Sequence, residues 1–214
     1  MKHLLLLLIL PTSLLFAQPD EKATAILAKV SAINKAYSNI DVAFDYTLQN
    51  PAAKVNDKRE GSLLLSGQQF HLVLMGQKIT SDGKIVWYDM GEEVQIKPIA
   101  EFMEETDLDP RNIFTQYTKG FKTKYKGEKK VGGKDVHVID LYPEIPGKKP
   151  YSRIELSIDK ATNHIVASTT FGKDGTNYTL VVKTMKTNTT VSAGQFVFDK
   201  KKFEAKGYDI VDFR

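Results

Sequence analysis

The sequence predicts a mainly β protein of the α+β class: a leading helix, then an antiparallel sheet of about ten or eleven strands, curled and partly covered. Three observations predict it. The hydrophobic period switches from 3.6 to two near residue 40. Turn-forming residues then recur between short alternating runs. The alternation breaks once, between Pro98 and Gly120, where apolar residues return to helical spacing.

The chain begins with Lys2 and His3, then an apolar run from Leu4 to Leu10, interrupted by Pro11, Thr12 and Ser13. Leu14-Leu15-Phe16-Ala17 leads to a small residue before Gln18. Basic start, apolar run and small-residue exit are the order of a cleavable secretory signal, here residues 1–17. A membrane anchor needs about 20 apolar residues, and this stretch is shorter and broken by proline. Residues 18–214 then form a single domain. Asp20 is placed as an N-cap, with Ile26, Leu27, Val30, Ile33 and Tyr37 on the apolar stripe of a helix. Lys22, Lys29, Asn34 and Lys35 are assigned to its wet face.

Ile40 to Gln49 alternates with every even position apolar, a strand with one buried face. Asn50 to Arg59 reads as a turn. Strands follow at Gly61–Leu65, Gln69–Met75, Gln77–Thr80, Lys84–Met90 and Glu92–Lys97, the fourth introduced by the Ser81-Asp82-Gly83 turn. The strands around Leu64 and Leu72 are apolar on both faces, so something covers or binds the second face. In the insert, Ile99, Phe102 and Met103 have helical spacing, and Asp109-Pro110 reads as an N-cap with proline at the first helical position, opening Asn112–Tyr117. The sheet resumes at Phe121–Glu128, Asp135–Tyr142, Ile154–Ile158, His164–Phe171 and Tyr178–Met185, the last two joined by Asp174-Gly175. Phe196-Val197-Phe198 reads as a short strand, Lys200-Lys201-Lys202 as a solvated turn, and Tyr208–Arg214 as a short strand and tail.

Composition excludes several classes. Without cysteine there is no disulfide framework, no thiol nucleophile, no thiolate metal site and no lipidated cysteine behind the signal. The net charge of +4 is dispersed, with no basic and aromatic stripe of the kind nucleic acid requires. His71, His137 and His164 are not spaced with a second histidine or carboxylate as metal sites need, and are read as structural. There is no nucleophile elbow, phosphate loop or zinc-protease helix. The acids of Glu104-Glu105 and Asp107-x-Asp109 are accounted for by helix starts. No catalysis, cofactor or metal is expected.

The apolar excess is more informative. Phe70, Leu72, Leu74, Trp87, Phe102, Met103, Ile113 and Phe114 exceed what one face of a small sheet needs. Several lie in the insert, which is placed to act as a lid, and methionine and aromatics adapt to variable apolar ligands. The candidate lining of a cavity and its lid is therefore Leu63, Leu65, Phe70, Leu72, Leu74, Phe102, Met103, Ile113 and Phe114; Trp87 is read as core.

The order of features, with Glu60-Gly61-Ser62-Leu63-Leu64-Leu65, Phe70, Ser81-Asp82-Gly83-Lys84-x-x-Trp87-Tyr88, Phe196-x-Phe198 and Gly207-x-Asp209, resembles the outer-membrane lipoprotein carriers, the LolA-type periplasmic chaperones. The resemblance implies an incomplete, strongly bent β half-barrel closed by helices, with an apolar cavity that shields lipoprotein acyl chains between inner and outer membrane. It implies a soluble, monomeric periplasmic carrier loaded by an inner-membrane lipoprotein-releasing complex and unloaded by an outer-membrane acceptor. In better-known members a basic residue and a proline, linked to lid closure, precede the strand of Phe70; here Ser66 and Gly67 stand there, so no lid-locking residue is carried over. The alternative is an envelope regulatory domain that senses lipid or lipoprotein and acts through a protein partner.

Overall fold

Asp20 starts the first helix in the computed structural model, which describes residues 20–105, 110–112, 117, 119–192 and 194–214. The proposed signal segment lies outside them. In α1 (Glu21–Ala36), Asp20 Oδ1 accepts the Ala23 N–H at 3.0 Å. Its Oδ2 accepts the Tyr125 N–H at 2.7 Å, so one carboxylate both caps the helix and ties it to a distant strand. These backbone bonds, Ala23's foremost, hold the Asp20 carboxyl below the usual carboxylate range. The helix buries Ala23, Ile26, Leu27 and Val30, and with them Ser31 and Asn34. Asn34, expected to face water, lies one turn beyond Val30 on the same stripe and is carried under with it.

The sheet has twelve strands among the described residues: β1 (Ile40–Asn50), β2 (Val55–Ser66), β3 (Gln69–Leu74), β4 (Gln77–Ser81), β5 (Ile85–Asp89), β6 (Glu93–Pro98), β7 (Phe121–Val131), β8 (Lys134–Pro143), β9 (Tyr151–Asp159), β10 (Ile165–Gly172), β11 (Asn177–Thr187) and β12 (Asp209–Asp212). Their order is β12-β6-β5-β4-β3-β2-β1-β11-β10-β9-β8-β7. Two antiparallel meanders, β1 to β6 and β7 to β11, therefore join where β1 pairs with β11. The ends do not meet, leaving an open, curved half-barrel. Register shifts between Ala43 and Phe44, Tyr125 and Gly127, and Ile165 and Ala167 supply the bending, since an unpaired extra residue kinks its strand. At Gly61, the backbone passes so close to the Phe44 ring that an added Cβ would fall 2.5 Å from it.

Several boundaries differ from the sequence reading. The turn expected from Asn50 to Arg59 is confined to 51–54, and β2 starts at Val55, fully paired with β1 from Asn50↔Val55 to Ile40↔Leu65. Its outer half is exposed on both faces, so the ladder rather than burial holds it. Phe196–Phe198 is not a strand: Phe196 ends a turn, and Phe198 stacks on Phe203 with ring centroids 5.3 Å apart. Lys200–Lys202 opens a five-residue helix, α3 (Lys200–Glu204), capped by Asp199, and remains exposed. β12 runs parallel to β6, the one parallel pairing among the described strands.

The inner face of the sheet and part of its outer face are covered, by different segments. α1 and α2 (Ile99–Glu105) pack on the inner face, in one cluster with Val42, Leu63, Phe70, Ile139 and Leu156. The outer face of β5 and β6 presents Trp87, Val94 and Ile96, against which Phe198, Phe203, Tyr208 and Ile210 of the C-terminal segment pack. That cover lies on β5 and β6; Leu64 and Val73, on the outer faces of the two-sided β2 and β3, are half-buried and do not belong to this cluster.

Candidate functional site

Strand pairing assembles the inner wall row by row. Leu65, Phe70, Ser81 and Val86 lie opposite one another across β2 to β5. Leu63, Leu72, Ile79 and Tyr88 make the next row, and Gly61, Leu74 and Gln77 a third. Because side chains alternate across the pleat, these rows face one way and Trp87 the other. Leu63, Leu65, Phe70 and Leu72 are buried, and Leu74 is half-buried at the margin.

The cover over this wall is α2. Phe102 is 3 % exposed, with its ring 6.0 Å from that of Phe70 and 5.8 Å from that of Tyr88. Met103 is half-buried against the same cluster. Ile113 and Phe114, assigned to the same lining, lie outside the described residues, as does Asp109. Beyond α2, Pro110–Asn112 forms one 3-10 turn, and Arg111 Nη1 donates to Gln68 Oε1 at 3.0 Å in the β2–β3 hairpin. The seven described candidates thus come together at one site. Sequence reasoning missed Ile79 and Tyr88, which the alternation of their strands places on the same wall, and Tyr117, a buried residue of the insert.

Tyr46 of β1 and Tyr117 of the insert belong to the same core cluster. Burial pushes the Tyr46 phenol up to about 12 and that of Tyr117 up as well, so both stay neutral donors at physiological pH. The three histidines are engaged elsewhere: His71 Nδ1 with Thr80 Oγ1 at 2.7 Å, His137 Nδ1 with Tyr125 Oη at 3.2 Å, and His164 Nε2 with Tyr37 Oη at 2.8 Å. Burial holds each below the usual imidazole range. Among the described residues, no three His, Asp or Glu side chains gather as a metal site would require. The inner wall is thus leucine and phenylalanine with Tyr88 at its edge, under a short cover.

The family model for the outer membrane lipoprotein carrier protein LolA matches residues 35–199. No curated protein matches. Among solved structures, an uncharacterized conserved protein from Thermus thermophilus is similar at 14% identity and TM-score 0.56, over 89% of this chain and 99% of that one. Lipoprotein LppX from Mycobacterium tuberculosis is similar at 14% identity and TM-score 0.55, over 81% and 98%. A Vibrio parahaemolyticus domain described as an outer membrane lipoprotein-sorting protein is similar at 12% identity and TM-score 0.50, over 86% and 99%. At these identities the likeness is one of fold. The family match spans both meanders and the insert between them, and on that match the chain belongs to the LolA family.

Proposed function

We propose that this protein is a carrier that shields the acyl chains of a lipoprotein, or of a related lipid, against the inner wall of its half-barrel. The observation that carries the reading is the attachment of α2, in which the Phe102 ring rests on Phe70 and Tyr88. A cover held this way can yield its place to a chain of the same apolarity. Each methylene withdrawn from water contributes about 0.8 kcal/mol, so a long acyl chain gains more than the ring it displaces loses. Leu63, Leu65, Phe70, Leu72 and Leu74 form the proposed floor, with Phe102, Met103, Ile113 and Phe114 above it.

Family membership supports the rest. Residues 1–17 act as a cleaved export signal, and residues 18–214 work as one periplasmic domain, without chemistry, between an inner-membrane releasing complex and an outer-membrane acceptor. No helix among the described residues is long and apolar enough to cross a membrane. Native mass spectrometry of protein purified from its own cells is expected to show a mature chain beginning near Gln18 with acylated cargo bound, and a fluorescent fatty acid should bind saturably to the delipidated chain. Absence of both cargo and probe binding refutes the carrier reading. Recovery of a membrane regulator in place of acylated cargo replaces it with lipid sensing through a partner.

A further inference from the structure

We propose a second binding site, for a phosphate-bearing amphiphile, on the outer face of the sheet beneath the C-terminal segment. A cavity of about 580 Å³ lies there, within the range of small-molecule sites. One wall is the outer face of β3 to β5, with His71, Lys78 and Trp87; the other is the segment carrying Lys202, Phe203 and Lys206. Trp87 projects opposite to Phe70 and Tyr88, so this cavity does not overlap the inner wall. The LolA match ends at residue 199, and three of the lining side chains come from beyond it.

Charge and apolarity define the ligand. Lys78 stands 3.8 Å from Asp89, a loose pair. Neither Lys202 nor Lys206 meets a carboxylate within ion-pair distance among the described residues; Lys206 lies over the Tyr208 ring. The cavity's other acid, Asp199, is engaged as the α3 cap, accepting the Lys202 N–H at 3.1 Å. Three lysines against the two carboxylates of Asp89 and Asp199 leave the hollow net positive, which favours an anion, and lysine binds phosphate as a point charge. His71 adds little positive charge, because burial and neighbouring Lys78 hold its imidazole below the usual range. Trp87 and Phe203 give the hollow an apolar side, which a bare ion leaves unused. The phosphate has two possible sources, a lipid headgroup or free inorganic phosphate.

Trp87 is the sole tryptophan, so its emission reads this site alone. The full mature chain is titrated with dihexanoyl phosphatidylglycerol below its micellar concentration, with inorganic phosphate, and with dihexanoylglycerol, which lacks the phosphate. A saturable emission change is expected with the phospholipid and none with dihexanoylglycerol. The double variant Lys202→Gln/Lys206→Gln should weaken binding about tenfold or more, with an unchanged circular dichroism spectrum and unchanged fatty-acid binding at the inner wall. Lys78→Gln gives the same test should the double variant misfold. Tighter binding of the phospholipid than of phosphate identifies a lipid headgroup and supports the proposal; equal binding identifies free phosphate and overturns the amphiphile. No saturable change, an equal response to dihexanoylglycerol, or undiminished binding in the lysine variants overturns it. Because fatty-acid binding is read separately, loss of the carrier reading leaves this result standing, and the reverse.

Discussion

Replacing Phe102 by alanine distinguishes a displaceable cover from a fixed piece of core. Phe102 is 3 % exposed and, among the described residues, touches the rings of Phe70 and Tyr88. Burying such a side chain contributes about 1.5–3 kcal/mol, and each ring pair about 0.5–1.5 kcal/mol more, so about 2.5–6 kcal/mol of attachment rests on it. Against this stands the backbone entropy of ordering the seven residues of α2, about 7–14 kcal/mol at 1–2 per residue. Helical hydrogen bonds and the half-buried Ile99 and Met103 supply the remainder, and closure is a narrow balance.

If α2 were core, Phe102→Ala would cost the 3–5 kcal/mol usual for this truncation, about 6–20 °C in Tm for a chain of this size. A cover behaves differently, because the variant can leave it open with the sheet intact, and the cost stops at the free energy of closing. The expected loss is about 1–2 kcal/mol, and the closing energy that a ligand no longer opposes returns as affinity, about 5–30-fold tighter for a fluorescent fatty acid. Urea denaturation and probe titration on the same preparation measure both. A loss of 3 kcal/mol or more with unchanged or weaker probe binding would refute the cover.

Two further outcomes test the fold. Burial holds His71, His137 and His164 below their ordinary pKa, so the unfolded chain takes up protons first as pH falls. The stability due to their neutral forms is complete above about pH 6.5, and is lost as pH falls through 6.5 toward their folded values. Tm should therefore decline between pH 7 and 5, less steeply in His71→Gln; a flat or rising profile contradicts it. At Gly61, an added methyl would sit 2.5 Å from the Phe44 ring and 3.0 Å from the Val73 carbonyl. Gly61→Ala should cost about 1–3 kcal/mol in urea denaturation, partly recovered by adding Phe44→Leu. An undestabilised single variant, or no recovery, would show that the strand accommodates the methyl.

The inner wall was legible because the pleat writes it into the sequence. Val42 and Phe44, Leu63 and Leu65, and Phe70, Leu72 and Leu74 each alternate, and each pair or triplet faces one way in the fold. What alternation does not encode is which segment closes the opposite face. Trp87, Val94 and Ile96 are covered by Phe198, Phe203 and Tyr208, more than a hundred residues later in the chain. The pairing that anchors that cover, Asp209↔Glu93 onward, is parallel and long-range, so no local turn signals it. The first half of β2 was missed for another reason. From Val55 to Glu60 it is almost wholly exposed, and backbone pairing to β1 leaves no hydrophobic pattern to read.

The β2–β3 hairpin is where the chain departs from the pattern that the family resemblance implies. Gly67 adopts φ +58 there, a left-handed conformation that glycine takes without strain, and the tight turn carries Ser66 where the resemblance implies a basic residue. Across from it, Arg111, on the 3-10 turn of the insert, donates to Gln68 of the hairpin. The bond is exposed, and such a bond contributes about 0.5–1.5 kcal/mol net, less than the Phe102 ring supplies. The described apolar contact of α2 is Phe102 on Phe70 and Tyr88, and on the proposed carrier reading it is this contact that an acyl chain replaces in kind.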